Sequence, residues 1–71
     1  MNVNMLKCLV ELAGGAVDTI DVDVFFSHYP KSITNLNDLR TLSRAGYISI
    51  LNASDDIHDI GVNQKALDYF K

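Results

Sequence analysis

The sequence predicts a small, mostly helical α+β domain with one antiparallel β-hairpin, and three observations carry that expectation. Leu36, Leu39 and Leu42 recur every three residues and line one face of a helix. Gly46 follows Ala45 where a helix C-cap needs left-handed backbone, a conformation glycine adopts at little cost. Tyr47, Ile48, Ile50 and Leu51, and then Ile57 to Val62, supply two apolar runs suited to strands, joined by the turn-rich segment Asn52 to Asp56. At 71 residues, 48% of them hydrophobic and 21% charged, the chain reads as a single globular domain over residues 1–71. A domain this short buries only about 60% of the surface its unfolded chain exposes, so its stability margin is narrow.

A first helix is expected from Val3 to Ala13, stopped by Gly14-Gly15. Its polar residues Asn4, Lys7 and Glu11 fall in one narrow stripe. Val3, Met5, Leu6, Cys8, Leu9, Val10, Leu12 and Ala13 fill the rest of the circumference. That apolar arc is wider than an ordinary surface helix carries. It predicts a homodimer with Met5, Leu9 and Leu12 at the interface; the alternative is that the second and last helices cover the arc from two sides. Ala16 to Ile20 reads as a short extended segment. Asp21 is placed to N-cap a second helix, Val22 to His28, with Asp23 in its first turn. Val22, Phe25, Phe26 and Tyr29 supply its core face, and Pro30 ends it by Tyr29. A third helix starts at Ser32 or Thr34, either of which can cap it, and runs to Ala45. After the hairpin, Asn63 is placed to cap a last helix, Gln64 to Lys71, with Ala66, Leu67 and Phe70 inward.

The resulting order is helix, short strand, helix, helix, strand, strand, helix. With Leu39-x-x-Leu42-x-x-x-Gly46-Tyr47-Ile48 and the closing Val62-Asn-Gln-Lys-Ala-Leu67-Asp-Tyr69-Phe70, it resembles the winged helix-turn-helix family of small bacterial and phage regulators. In such endings an apolar strand residue precedes a polar cap, then a lysine and an aromatic. The resemblance implies that the third helix, about residues 32–45, enters the major groove and that the hairpin is a wing. It also implies that Lys31, Ser32 and Thr34 sit where the helix N-terminus approaches the groove and a phosphate.

Charge is distributed unevenly. The chain carries a formal charge of −3, which argues against indiscriminate attraction to phosphates. Residues 1–30 hold Lys7 against Glu11, Asp18, Asp21 and Asp23; residues 50–71 hold Lys65 and Lys71 against Asp55, Asp56, Asp59 and Asp68. Only residues 31–49 are net positive, with Lys31, Arg40 and Arg44 against Asp38. With the leucines inward, the opposite face of the third helix presents Asn37, Arg40, Thr41 and Arg44, beside Thr34 and Asp38. Arginine pairs with guanine, asparagine with adenine, and threonine with bases or phosphates. The leading expectation is therefore a small double-stranded-DNA-binding transcriptional regulator that reads with Lys31, Ser32, Thr34, Asn37, Arg40, Thr41 and Arg44. The same face also fits a plain solvated helix, since cations are favoured in a last turn by the helix dipole.

The wing departs from the DNA-binding pattern, because Asp55, Asp56 and Asp59 repel phosphates. This supports an alternative: an acidic winged-helix interaction module, a phage or mobile-element adaptor that modulates a host protein through those residues. Catalysis is not expected. Cys8 lies on an apolar helix, His28 and His58 are the only histidines, and no glycine-rich phosphate loop or paired metal-ligand spacing occurs. The acids at Asp18, Asp21 and Asp23, and those around His58, suit capping and solubility better than a cation, so no metal or cofactor is expected. No stretch reads as a signal peptide or membrane span, which points to the cytoplasm.

Overall fold

A computed structural model of the chain describes residues 1–53 and 56–71. Its elements are α1 (Val3–Leu12), β1 (Thr19–Asp21), α2 (Val22–His28), α3 (Ile33–Arg44), β2 (Ile48–Ala53), β3 (Asp56–Val62) and α4 (Gln64–Tyr69). The first three helices start at side chains that accept a backbone N–H. Asn2 Oδ1 accepts from the Met5 amide at 3.0 Å, Asp21 from Asp23 at 2.8 Å, and Ser32 Oγ from Asn35 at 3.1 Å. Of the two candidate caps for α3, Ser32 takes the role.

Asn63 occupies the N-cap position of α4, as expected, but its side chain makes no cap hydrogen bond. Its Nδ2 donates to the Gly46 carbonyl at 3.1 Å, and its Oδ1 accepts from Ser49 Oγ at 3.3 Å. The side chain thus ties the α3–β2 turn to the end of β3, a tertiary demand that outcompetes the local cap.

Both α1 and α3 end in the same hydrogen-bond pattern. After α3, the Gly46 amide donates to Ser43 at 3.0 Å and the Tyr47 amide to Leu42 at 3.1 Å, with Gly46 at φ 85°. A β-carbon on Gly46 would meet only Lys65 Cδ, at 3.8 Å, so alanine there is strained in its backbone and not crowded. Gly46→Ala is expected to cost about 1–2 kcal/mol. That should lower the midpoint of a thermal melt followed by circular dichroism by roughly 4–15 °C.

The strands form one antiparallel sheet in the order β1-β3-β2. The isolated hairpin expected from the sequence is thus extended by β1, which pairs Thr19 with Gly61, Ile20 with Ile60 and Asp21 with Asp59. The two hairpin strands are also longer than expected. Asn52, Ala53 and Asp56, read as turn residues, pair within the sheet, Asn52 with Ile57 and Ala53 with Asp56.

The register slips between Leu51 and Asn52, which face Asp59 and Ile57 in turn, so His58 is an extra, unpaired residue on β3. This is a β-bulge, which bends a strand and re-aims its side chains.

The core draws on every element: Met5, Leu6 and Leu9 of α1, Ile20 of β1, Phe25 of α2, Leu39 and Leu42 of α3, Ile48, Ile60 and Val62 of the sheet, and Ala66 of α4. Val10, Leu12 and Ala13 pack on its margin, as does Leu67 of α4. The wide apolar arc of α1 is therefore covered largely by the chain itself. Met5 and Leu9 are fully buried and Leu12 is half-buried. Contrary to expectation, Met5 and Leu9 offer no surface to a second subunit.

Candidate nucleic-acid interface and the groove beside it

The leucines of α3 fix which of its side chains reach solvent. Leu39 and Leu42 are fully buried, and Asn35, Leu36, Asp38 and Ser43 are half-buried on either side of them. At 100° per residue the remaining positions, Ile33, Thr34, Asn37, Arg40, Thr41 and Arg44, share one exposed arc. No carboxylate lies on it. Asp38, the one acid of the helix, is turned aside, where its Oδ2 accepts from Asn2 Nδ2 at 2.9 Å.

The arc is also locally ordered. Arg40 Nη1 donates to Asn37 Oδ1 at 3.4 Å, and Thr41 Oγ1 donates to the Asn37 carbonyl at 3.0 Å. Among the described residues, Lys31, Arg40 and Arg44 make no ion pair.

The structure thus brings Thr34, Asn37, Arg40, Thr41 and Arg44 to one face. Ser32 is exposed, but its hydroxyl is committed to the cap. Lys31 stands in the turn before α3, its ammonium 5.9 Å from the centre of the Phe26 ring. Sequence reasoning missed Ile33, which is 79% exposed at the first turn of this arc. Its signal was present in the spacing, because Ile33, Asn37 and Arg44 share a stripe at i, i+4 and i+11.

Beside this face runs a groove of about 440 Å³ between α2, α3 and β3. Val22 and Phe26 of α2, Leu36 of α3 and Ile57 of β3 supply its apolar lining. Leu36 was expected to sit beside Leu39 and Leu42 in the core; it is half-buried and lines this groove instead. Lys31 and Arg40 reach the groove from α3 and the turn before it. Asp21 and Asp23 reach it from the β1–α2 corner, and Asp56 and His58 from β3.

Simple strand alternation would put Asp56 and His58 on one face of β3 and Ile57 on the other. The bulge at His58 breaks that alternation, and all three line the groove. Of the acids expected on the wing, Asp56 is exposed and lines the groove. Asp59 is half-buried, its Oδ2 lying 3.2 Å from His58 Nδ1, and Asp55 lies outside the described residues.

Other reactive groups lie apart from this surface. Cys8 is half-buried on α1, and burial, followed by the nearby Glu11 carboxylate, pushes its thiol above the usual range. Such a thiol is a poor nucleophile at neutral pH. Hydrogen bonds from Gln64 and then Lys71 hold the Asp68 carboxyl below its ordinary value. Among the described residues no group of three or more His, Cys, Asp or Glu side chains is arranged to hold a metal ion, and no helix is long and apolar enough to cross a membrane. No protein-family model, curated protein or solved structure matches the chain.

Proposed function

We propose that the chain is a winged helix-turn-helix domain that binds double-stranded DNA as a transcriptional regulator, with α3 as its reading helix and the β2–β3 hairpin as its wing. One observation carries this reading. On a protein of net charge −3, the outer arc of α3 presents two arginines that make no ion pair among the described residues, with asparagine and threonine, and no acid. Arg40 and Arg44 suit guanine edges or phosphates, Asn37 suits adenine, and Thr34 and Thr41 suit either a base or the backbone. Ile33 adds an apolar contact of the kind made to a thymine methyl group.

The test is binding of a mixed-sequence duplex followed by fluorescence anisotropy. If Lys31, Arg40 and Arg44 each neutralise one phosphate, the affinity should fall about 40-fold between roughly 50 and 200 mM salt. Absence of binding at about 50 mM salt overturns the reading.

The acids of the groove favour a second reading, in which the wing meets a basic protein partner and the domain acts as an adaptor. Asp56→Lys separates the two. A wing that lies along DNA should bind more tightly after the change, with a salt slope steeper by about 0.9. An adaptor should gain no duplex binding and lose affinity for its partner.

A further inference from the structure

We propose that the groove between α2, α3 and β3 binds a small zwitterion of the amino-acid class with a bulky apolar side chain. Its volume of about 440 Å³ falls within the range of small-molecule sites. The lining is sorted by chemistry. The cations come from α3 and the turn before it, with Arg40 and Lys31; the acids come from the β1–α2 corner and β3, with Asp21, Asp23 and Asp56. Among the described residues no ion pair joins the two sets, although they share one groove. Opposite charges that share an apolar groove without pairing to each other suit a solute that carries both charges.

Such a solute sets its carboxylate on the Arg40 guanidinium, which can hold it through two hydrogen bonds, with Lys31 beside it. Its ammonium meets the acidic wall. There Asp21 spends one carboxylate oxygen on the Asp23 amide at 2.8 Å and keeps the other free of that bond. The apolar body lies against Phe26, Leu36 and Ile57, with the Phe26 ring already flanked by the Lys31 ammonium.

Because Lys31 and Arg40 also belong to the proposed DNA face, an occupied groove withdraws two cations from phosphate. The domain would then release DNA when the zwitterion is abundant. That link rests on the DNA-binding reading; binding of the zwitterion does not.

Four probes that share one ring isolate the charges: phenylalanine, phenylpropionate, phenethylamine and N-acetylphenylalanine amide. Each is titrated to about 10 mM, above the millimolar dissociation constants usual for ligands this small, while the amide signals of the isotope-labelled protein are followed by NMR. Phenylalanine should shift the signals of Val22, Phe26, Leu36 and Ile57 and bind more tightly than the other three.

Arg40→Gln should weaken phenylalanine and phenylpropionate about 10-fold and leave phenethylamine unchanged. Asp23→Asn with Asp56→Asn should weaken phenylalanine and phenethylamine and spare phenylpropionate. No groove shifts with phenylalanine, or equal shifts with all four probes, overturns the proposal. Duplex binding measured with and without phenylalanine then reports on the regulatory link alone. Competition supports it. Unchanged duplex affinity with the groove occupied refutes the link and leaves the site standing, and a protein that binds the zwitterion but no duplex refutes only the DNA reading.

Discussion

Phe25→Ala is expected to remove about half of the stability of this domain. Phe25 is fully buried, and its ring lies 5.5 Å from that of Tyr29 at an interplanar angle of 9° and 5.4 Å from that of Phe26. Truncating a buried phenylalanine to alanine costs about 3–5 kcal/mol, because the transfer free energy is lost and a cavity remains. A chain of this length is stable by only about 4–11 kcal/mol. A urea titration followed by far-ultraviolet circular dichroism should therefore place the variant's midpoint at about half of the wild-type value for mid-range stability, or find it unfolded in buffer.

Phe26→Ala is the control. Phe26 sits one position on and faces the groove, half-buried, so its truncation removes less buried surface and leaves an opening that water can fill. It should cost roughly half as much. Equal losses for the two variants would mean that the core is not centred on Phe25.

Arg40→Ala with Arg44→Ala is expected to abolish most duplex binding without unfolding the domain. Both side chains are exposed, and alanine is the best helix former, so α3 should survive the change. Each arginine that contacts a phosphate or a base edge contributes about 1–3 kcal/mol, so the double variant should bind at least about 30-fold more weakly. Its salt dependence is the sharper readout. With only Lys31 left to neutralise a phosphate, affinity should fall by only about 3- to 4-fold between roughly 50 and 200 mM salt, against about 40-fold for the wild type. A double variant that keeps the wild-type slope would move the DNA contact away from α3.

Several features were legible because they depend on chemistry within one turn of chain. Asp21 caps α2, Pro30 follows its end, and Gly46 terminates α3 in left-handed backbone. The leucine spacing that buries Leu39 and Leu42 also fixes the solvent face of α3, so Asn37, Arg40, Thr41 and Arg44 could be named together beforehand. Other features depend on residues far apart in the chain. Asn63 holds the cap position of α4 that its neighbours indicate, but its side chain is engaged elsewhere. Its actual partners, Gly46 and Ser49, lie 17 and 14 residues away. The apolar arc of α1 suggested a dimer because the sequence does not reveal how much of Met5 and Leu9 the sheet and the other helices cover.

The sequence by itself determined the start of α2 at Asp21, its end before Pro30 and the end of α3 at Gly46, with the apolar face of α3 and the uneven placement of charge. These follow from backbone geometry and helical periodicity, which act over a few residues. Only the tertiary structure decided that β1 joins the hairpin as a third strand and that Met5 and Leu9 are interior. It also decided that the acids of β1, α2 and β3 share a groove with Lys31 and Arg40. Strand pairing and helix docking set those outcomes, and a one-residue bulge at His58 is enough to redirect the side chains of a whole strand end.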